Sequence, residues 1–492
     1  INSQLDIGAS WRLEDPTNRV YSASNRTGGL GSTTTDDGAL NYDKGDAFTT
    51  IIKGMHDIQL SKGDFGAFVR FKYWYDYELE KGDVAHGNSN NGYIPNTPLS
   101  DDGFDNTSKF SGISLLDAYV YGSFDLDDTP VDIRLGRQVV SWGESTFIQG
   151  GMNSSNPFDV PALRRPGATL KEGILPVGML YANVGLTENL SVEGFYQYEW
   201  EKTQIDGCGT YFASGDYFAT GCNYITVKAN DKYSLDAGIY AEQQADLEPD
   251  DGGQYGLAAR YYSETLNDTE FGLYYMNIHS RLPVLNTIRT GVPPVYTELT
   301  GDDIANSPII VPFSTPGVGE ILSPYNPGYN AEFPEDLKYY GFSFATNVGG
   351  TALSGEISYK PDTPIQINGP DLLNATLSES PIFAFTERLQ APLADGSPSY
   401  GTEKKGWDAF DVTQMQMTAI HFFENALGAS RVTFIGEVGL ILTDDIEDEE
   451  LRYGRNSSYG IGVLGAGDAT CNYLLSIGKL QGDCKDEGFV TD

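Results

Sequence analysis

The chain reads as an all-β protein, a transmembrane antiparallel β-barrel, and three features of its 492 residues lead there. Apolar and polar residues alternate along segments of about ten residues, the pattern of a strand with lipid on one side and water on the other. Nowhere does an apolar run reach the length of a membrane-spanning helix. Short turns alternate with long polar connections, a rhythm rare inside compact soluble domains and normal in such barrels.

The clearest segment is DFGAFVRFKYWYDYE, from Asp64 to Glu78. Phe65, Ala67, Val69, Phe71, Tyr73, Tyr75 and Tyr77 fall on one file, and Gly66, Phe68, Arg70, Lys72, Trp74, Asp76 and Glu78 on the other. The first file passes from aliphatic to tyrosine, as a strand entering a membrane interface does. The second bears the charge. At about 3.3 Å per residue the segment is long enough to cross a bilayer at a tilt.

The other elements follow in order. Leu5 to Leu13 is a first strand, and a polar segment then runs to about Asp46. Ala47 to Leu60 joins the Asp64 strand through Ser61-Lys62-Gly63, a tight hairpin. After a polar stretch to Gly112, Ile113 to Phe124 is expected to turn Leu116, Ala118, Val120, Gly122 and Phe124 to lipid. Asp117, Tyr119, Tyr121 and Ser123 take the other face. Val131 to Ser141 follows an acidic turn. Val177 to Leu186 and Leu190 to Glu201 form the next hairpin, and the loop after it predicts a short helix near Tyr233 to Gln244. Gln254 to Glu264 pairs with Glu270 to His279, Leu337 to Thr346 with Thr351 to Tyr359, and Phe410 to Phe422 with Ser430 to Leu442.

These are thirteen strands in one domain spanning residues 1–492. A closed bacterial barrel has an even number, so 14–18 strands are expected. The chain would then lack C-terminal strands, or would close with one near Tyr459 to Leu464 or Tyr473 to Ile477. The start at Ile1 reads as a mature form without a leader. Long connections belong outside the cell and short turns in the periplasm.

A formal charge of −38 excludes nucleic-acid binding, since nothing basic could neutralise phosphates. Acidic loops are read first as solvated surface, and second as sites where divalent cations bridge to lipopolysaccharide. Cys208 with Cys222 and Cys471 with Cys484 each close a short loop; two disulfides imply an oxidising envelope compartment.

No catalytic constellation is visible, so the protein is not expected to be an enzyme. His56, His86, His279 and His421 are dispersed, and neither a nucleophile elbow nor a phosphate-binding loop occurs. The acid pairs Asp101-Asp102, Asp127-Asp128 and Asp250-Asp251 match no calcium loop and read as turn residues. No cofactor is expected. The distinctive segment is Ser141 to Pro176, which contains Glu144 and, unusually for so acidic a chain, the cations Arg164, Arg165 and Lys171. It is expected to fold into or cap the lumen, with those cations facing an anionic head group or the acidic wall. The same residues could instead form an ordered loop with local salt bridges. Phe68, Arg70, Lys72, Trp74, Asp117 and Tyr119 are expected to face the lumen and contact cargo or hold that segment.

WRLEDP at Trp11, NYDKGD at Asn41, LGRQVVSWGES at Leu135, NPFDVPALRRPGATLKEG at Asn156, NDTEFGLYYMNIHSRLP at Asn267 and TNVGGTALSGEISYKPDTPIQIN at Thr346 resemble a proteobacterial outer-membrane family. That family is known mainly as a domain of unknown function. The resemblance covers nearly the whole chain and implies a barrel in the Gram-negative outer membrane. Members are often encoded beside a periplasmic lipoprotein-sorting-like protein and an inner-membrane exporter of the RND class, MmpL-like. What this implies is transport of lipids or other hydrophobic cargo across the envelope, in contact with outer-membrane lipids and lipopolysaccharide. A passive porin or fatty-acid channel, or a structural surface protein, are the other readings, and homo-oligomerisation is compatible with each. The family has no agreed catalytic residues, so none is carried over.

Overall fold

Alternation of side chains becomes a continuous meander in the computed structural model. It describes residues 1–127, 129–226, 230–238, 240–288, 327–369 and 401–444, with further positions at 296–297, 319–320, 372–373, 376, 446 and 453–454. The main sheet has thirteen antiparallel strands: β1 (Asn2–Trp11), β2 (Ala47–Lys62), β3 (Phe65–Asp76), β4 (Ser111–Leu126), β5 (Thr129–Gln138), β6 (Val177–Thr187), β7 (Leu190–Gln197), β8 (Gln254–Ser263), β9 (Thr269–Ile278), β10 (Leu337–Val348), β11 (Thr351–Gln366), β12 (Trp407–Glu424) and β13 (Arg431–Thr443). Each lies beside its neighbour in chain order. All thirteen stretches with strand periodicity form strands, displaced by a few residues at their ends. The further strands considered near Tyr459 and Tyr473 lie outside the described residues.

Because consecutive strands are antiparallel, every short turn falls at one end and every long connection at the other. The turn at Gly349-Gly350 has φ of +57° and +80° at its two central residues, a backbone that glycine adopts freely and that matches the twist of the flanking strands.

The outer face has a barrel's polarity. Leu5, Ile7, Leu60, Ile113, Leu115, Leu180, Leu257, Leu273, Val438 and Leu440 are all exposed, while Lys53, Lys72, Trp74, Glu356 and Gln414 on the opposite face are buried. Toward the long connections, Tyr196 lies opposite Tyr255 in the register. Rings then follow one another from Tyr255 to Tyr275 at 6.1 Å, to Tyr340 at 5.2 Å and to Tyr359 at 6.3 Å. Five adjacent strands thus present tyrosine at one level, the amphipathic belt expected where lipid tails meet head groups.

Two expectations are corrected. Leu116 does not face lipid. Val69 pairs with Ala118 and Phe71 with Leu115, so two residues of β4 oppose Arg70 alone. This bulge resets the alternation. Leu116 is fully buried with Met55 and Leu175, and Asp117 points inward beside it. The helix placed near Tyr233 to Gln244 is shorter and earlier, Asp231–Asp236, with the Asn230 side chain accepting from the Tyr233 amide at its start. Gly238, at φ +70°, follows its end, and Tyr240–Gln243 is a strand.

The long connections are themselves built. Tyr224–Thr226, Tyr240–Gln243, Gly328–Glu332, Val284–Ile288 and Glu403–Lys404 form a second, five-stranded sheet. The Cys208–Cys222 disulfide is formed, with Cα atoms 6.0 Å apart. It lies in an apolar core with Tyr42 from the β1–β2 connection and Val84, Leu99, Phe104 and Phe110 from the β3–β4 connection, so that with the cysteines three connections share one core. Cys471 and Cys484 lie outside the described residues.

A charge introduced on the outer face should destabilise the barrel according to depth. Leu257→Arg is expected to cost about 2–4 kcal/mol in denaturant unfolding from lipid vesicles. A loss below about 0.5 kcal/mol would show that this face does not contact lipid.

Candidate functional site

Every polar group on the inner face of a barrel wall must meet water or a partner. Much of this wall meets the connection between β5 and β6. Its middle packs on the wall: Trp142 and Met152 join Met179, Phe195, Ala258, Tyr274 and Met276 in a buried cluster. Asn156 accepts from the Val140 amide at 3.0 Å and donates to the Leu175 carbonyl at 3.0 Å, tying the two ends of the segment together.

Toward the last strands, carboxylates hold its backbone. Glu356 accepts from the amides of Glu144 at 3.0 Å and Met152 at 2.9 Å. Glu437 accepts from Thr146, Phe147 and Ile148 at 2.8, 2.7 and 2.8 Å. Lys360 Nζ donates to the Gly150 carbonyl at 2.8 Å. The added side chain at Gly439 would strike Ile148, so glycine there permits close approach.

Toward the first strands, side chains form buried ion pairs. Lys53 pairs with Glu172 at 2.8 Å and Lys72 with Asp159 at 2.5 Å. Lys72 also donates to the Glu172 carbonyl at 2.8 Å. Asp159 in turn accepts from the Ala162 amide at 2.9 Å, capping the helical turn Val160–Arg164. Pro166 sits against Gly8 of β1, where a Cβ would lie 2.4 Å from it.

One short segment therefore touches the first and the last described strands. Thirteen strands laid flat would span roughly 55–60 Å. The chain from Ile148 to Pro166 reaches that only if fully extended, and it contains a 3₁₀ turn, Met152–Ser155, and a helical turn. The sheet is accordingly curled around it.

The sequence-selected residues fall into separate groups. Phe68, Arg70, Asp117 and Tyr119 form one: Arg70 pairs with Asp57 at 2.7 Å and Asp117 at 2.9 Å, lies 5.1 Å above the Phe68 ring, and Phe68 is 5.5 Å from Tyr119. Lys72, Trp74 and Arg165 form another, with the Arg165 guanidinium 4.5 Å over the Trp74 ring and Trp74 Nε1 donating to the Lys109 carbonyl at 2.8 Å. Arg164, its neighbour in sequence, points elsewhere: it pairs with Asp206, donates to the Phe212 carbonyl at 2.7 Å and lies 5.1 Å over the Phe212 ring. Burial pushes the Asp206 carboxyl up to about 6 against the pull of Arg164. Lys171 is exposed. Glu144 contributes its amide to the clamp, while burial raises its carboxyl above the usual range against the pull of Arg260.

Glu356, Glu437, Lys53, Asp159 and Glu172 were missed by sequence reasoning. Glu356 and Lys53 sit on the polar file of their strands, which was the available signal; their partners lie far away in the chain and left none.

Beside Arg164 and Asp206 opens a cavity of about 550 Å³, walled by Val160, Ile205, Tyr217, Phe218, Leu282 and Leu285. Its lining is mostly apolar but includes the Arg164–Asp206 pair and the polar side chains of Thr35, Ser214 and Gln366, the mixture of pockets that take amphipathic molecules.

The whole chain, residues 1–492, matches the family model described as "Protein of unknown function (DUF1302)", and the chain belongs to that family. No curated protein matches it. Solved structures similar to it include Salmonella typhi OmpF in complex with daunomycin, at 8% identity, 84% coverage of each chain and a TM-score of 0.26. Vibrio cholerae OmpT matches at 10% identity, with 85% of this chain and 86% of that one covered and a TM-score of 0.26. Pseudomonas putida OprB matches at 8%, with 84% and 90% covered and a TM-score of 0.25. At these scores the fold assignment rests on the sheet itself.

Removing one partner of the buried pairs should cost more than the pair contributes, because the other charge stays buried. Lys72→Met is expected to destabilise by about 3–5 kcal/mol in denaturant unfolding from vesicles; a loss under about 1 kcal/mol would refute the pairing with Asp159. Glu437→Ala removes the acceptor of three amides. Hydrogen exchange of residues 144–152 should then accelerate, by at least about tenfold, from loss of charge-assisted bonds.

Proposed function

We propose that this protein is the outer-membrane component of a trans-envelope transport system for lipids or other hydrophobic molecules in a Gram-negative bacterium. The observation that supports this is the largely apolar, half-open cavity beside Arg164, formed between the β5–β6 connection and the outer connections. A passage for small polar solutes has no need of so large an apolar share in its lining. An amphiphile would place its tail among Ile205, Phe218 and Leu285 and its anionic head at Arg164, in exchange for Asp206.

In this reading the β5–β6 connection is the constriction of the lumen, held against both halves of the wall, and the barrel performs no chemistry. Handover to a periplasmic lipoprotein-sorting-like protein and an inner-membrane RND exporter would give transport its direction. The passive porin is the competing reading.

The test is amphiphile binding by the purified barrel, followed by native mass spectrometry and by displacement of a fluorescent fatty acid. Arg164→Gln should weaken binding of the anionic probe about tenfold or more, the worth of one charge-assisted hydrogen bond, and leave a neutral analogue unaffected. Steady ionic conductance in planar bilayers without amphiphile binding would replace this reading with the porin.

A further inference from the structure

Four aspartates from the outer connections converge where no functional role has been assigned. Asp36 and Asp37 come from the β1–β2 connection, Asp216 and Asp231 from the β7–β8 connection, and His86 from the β3–β4 connection. The aspartates are 0%, 0%, 3% and 0% exposed, respectively. Ligand atoms of Asp36, Asp37 and Asp216 lie within 4.8 Å of one another, and so do those of Asp37, His86 and Asp231. Asp37 is common to both sets.

Some of these oxygens have donors. Asp36 accepts from the Ser22 amide at 2.8 Å and from Asn25 Nδ2 at 3.1 Å. Asp231 accepts from Thr226 Oγ1 at 2.5 Å and from Asn25. His86 Nε2 is 3.2 Å from Asp231 and 3.5 Å from Asp37. Among the described residues, both oxygens of Asp37 and Oδ1 of Asp216 are buried without a hydrogen bond of ordinary length, although the His86 and Tyr93 side chains face Asp37. They point to a ligand rather than to a closed polar network, since buried acceptors are nearly always satisfied.

The charge balance agrees. Four carboxylates face one imidazole, and among the described residues no lysine or arginine forms an ion pair with any of them. Buried carboxylates of this density either hold protons or coordinate a cation.

We infer that Asp36, Asp37, Asp216 and Asp231 bind a divalent cation, which the hard oxygen donors identify as calcium, with His86 at its edge. The ion would fasten together three outer connections whose shared apolar core surrounds the Cys208–Cys222 disulfide. This site is interior to the loop cap and distinct from any surface bridging to lipopolysaccharide.

The experiment uses the full chain folded in detergent without lipopolysaccharide, so that lipid-bound ions do not contribute. Elemental analysis after dialysis against calcium should find one more ion per chain than in Asp37→Asn/Asp216→Asn. Calcium should raise the Tm of the wild type above its value in chelator and leave the double variant unmoved. At calcium a hundred times Kd, cleavage within residues 12–46 should slow by up to about 100-fold, as the open population falls. Equal calcium content in the two proteins, or wild-type cleavage indifferent to calcium, overturns the site. If the double variant fails to fold, the wild-type cleavage rate with and without calcium decides by itself. Protection by zinc but not calcium overturns the identification of the ion.

Discussion

The structure depends on a mutual debt between wall and strap: neither the inner face of the barrel nor the β5–β6 connection is satisfied without the other. Glu356 and Glu437 are strand carboxylates facing inward, and their acceptors are met by five amides of the connection. Lys53 and Lys72 are strand cations, and they find Glu172 and Asp159 there. Each charged hydrogen bond contributes about 1.5–3 kcal/mol, and an orphaned buried charge costs more than that. Wall and connection must therefore fold as one unit. Curvature of the sheet follows from the same contacts, because a compact segment packed on β1, bonded to β2 and β3 and bonded to β11–β13 draws the two ends of the sheet toward each other.

Mechanical consequences follow for any passage through the barrel. The clamps at residues 144–152 and 159–172 lie on opposite sides, so moving the strap as a whole breaks several buried bonds together. Motion confined to the outer connections breaks far fewer. The cavity beside Arg164 lies between strap and outer connections, where the wall is made of loops with their own core. A molecule entering there meets the Arg164–Asp206 pair, whose arginine is partly exposed, rather than the fully buried Lys72–Asp159 pair.

Much of this architecture was legible, for a definite reason. A strand with lipid on one side writes its period of two into the sequence, as in Phe65 to Tyr77, and thirteen such records gave thirteen strands. The bulge at Leu116-Asp117 was not legible, because one inserted residue changes the facing of its neighbours without changing composition. Arg164 and Arg165 stood out as cations in an acidic chain, yet their different partners depend on the turn that ends the helix between them. Glu437 reads as one charge on one strand; its importance arises from three amides almost three hundred residues away.

The two buried charge clusters differ in a way that organises the molecule. In the strap, acids and bases are matched within the chain, so its cohesion is independent of what the surrounding solution supplies. In the outer cap, among the described residues, His86 is the one basic side chain within ion-pair distance of Asp36, Asp37, Asp216 and Asp231, so protons or a cation would supply the rest of the balance. Sequence could not distinguish these cases, since the four aspartates belong to acidic loops that look uniformly solvated. Burial separates them: an aspartate in water needs no partner, whereas one enclosed with three others holds its loop in place only when something neutralises it. With a cation bound there, the order of the cap would be set from outside, and the same connections supply Thr35, Gly215 and Tyr217 to the lining of the cavity beside Arg164.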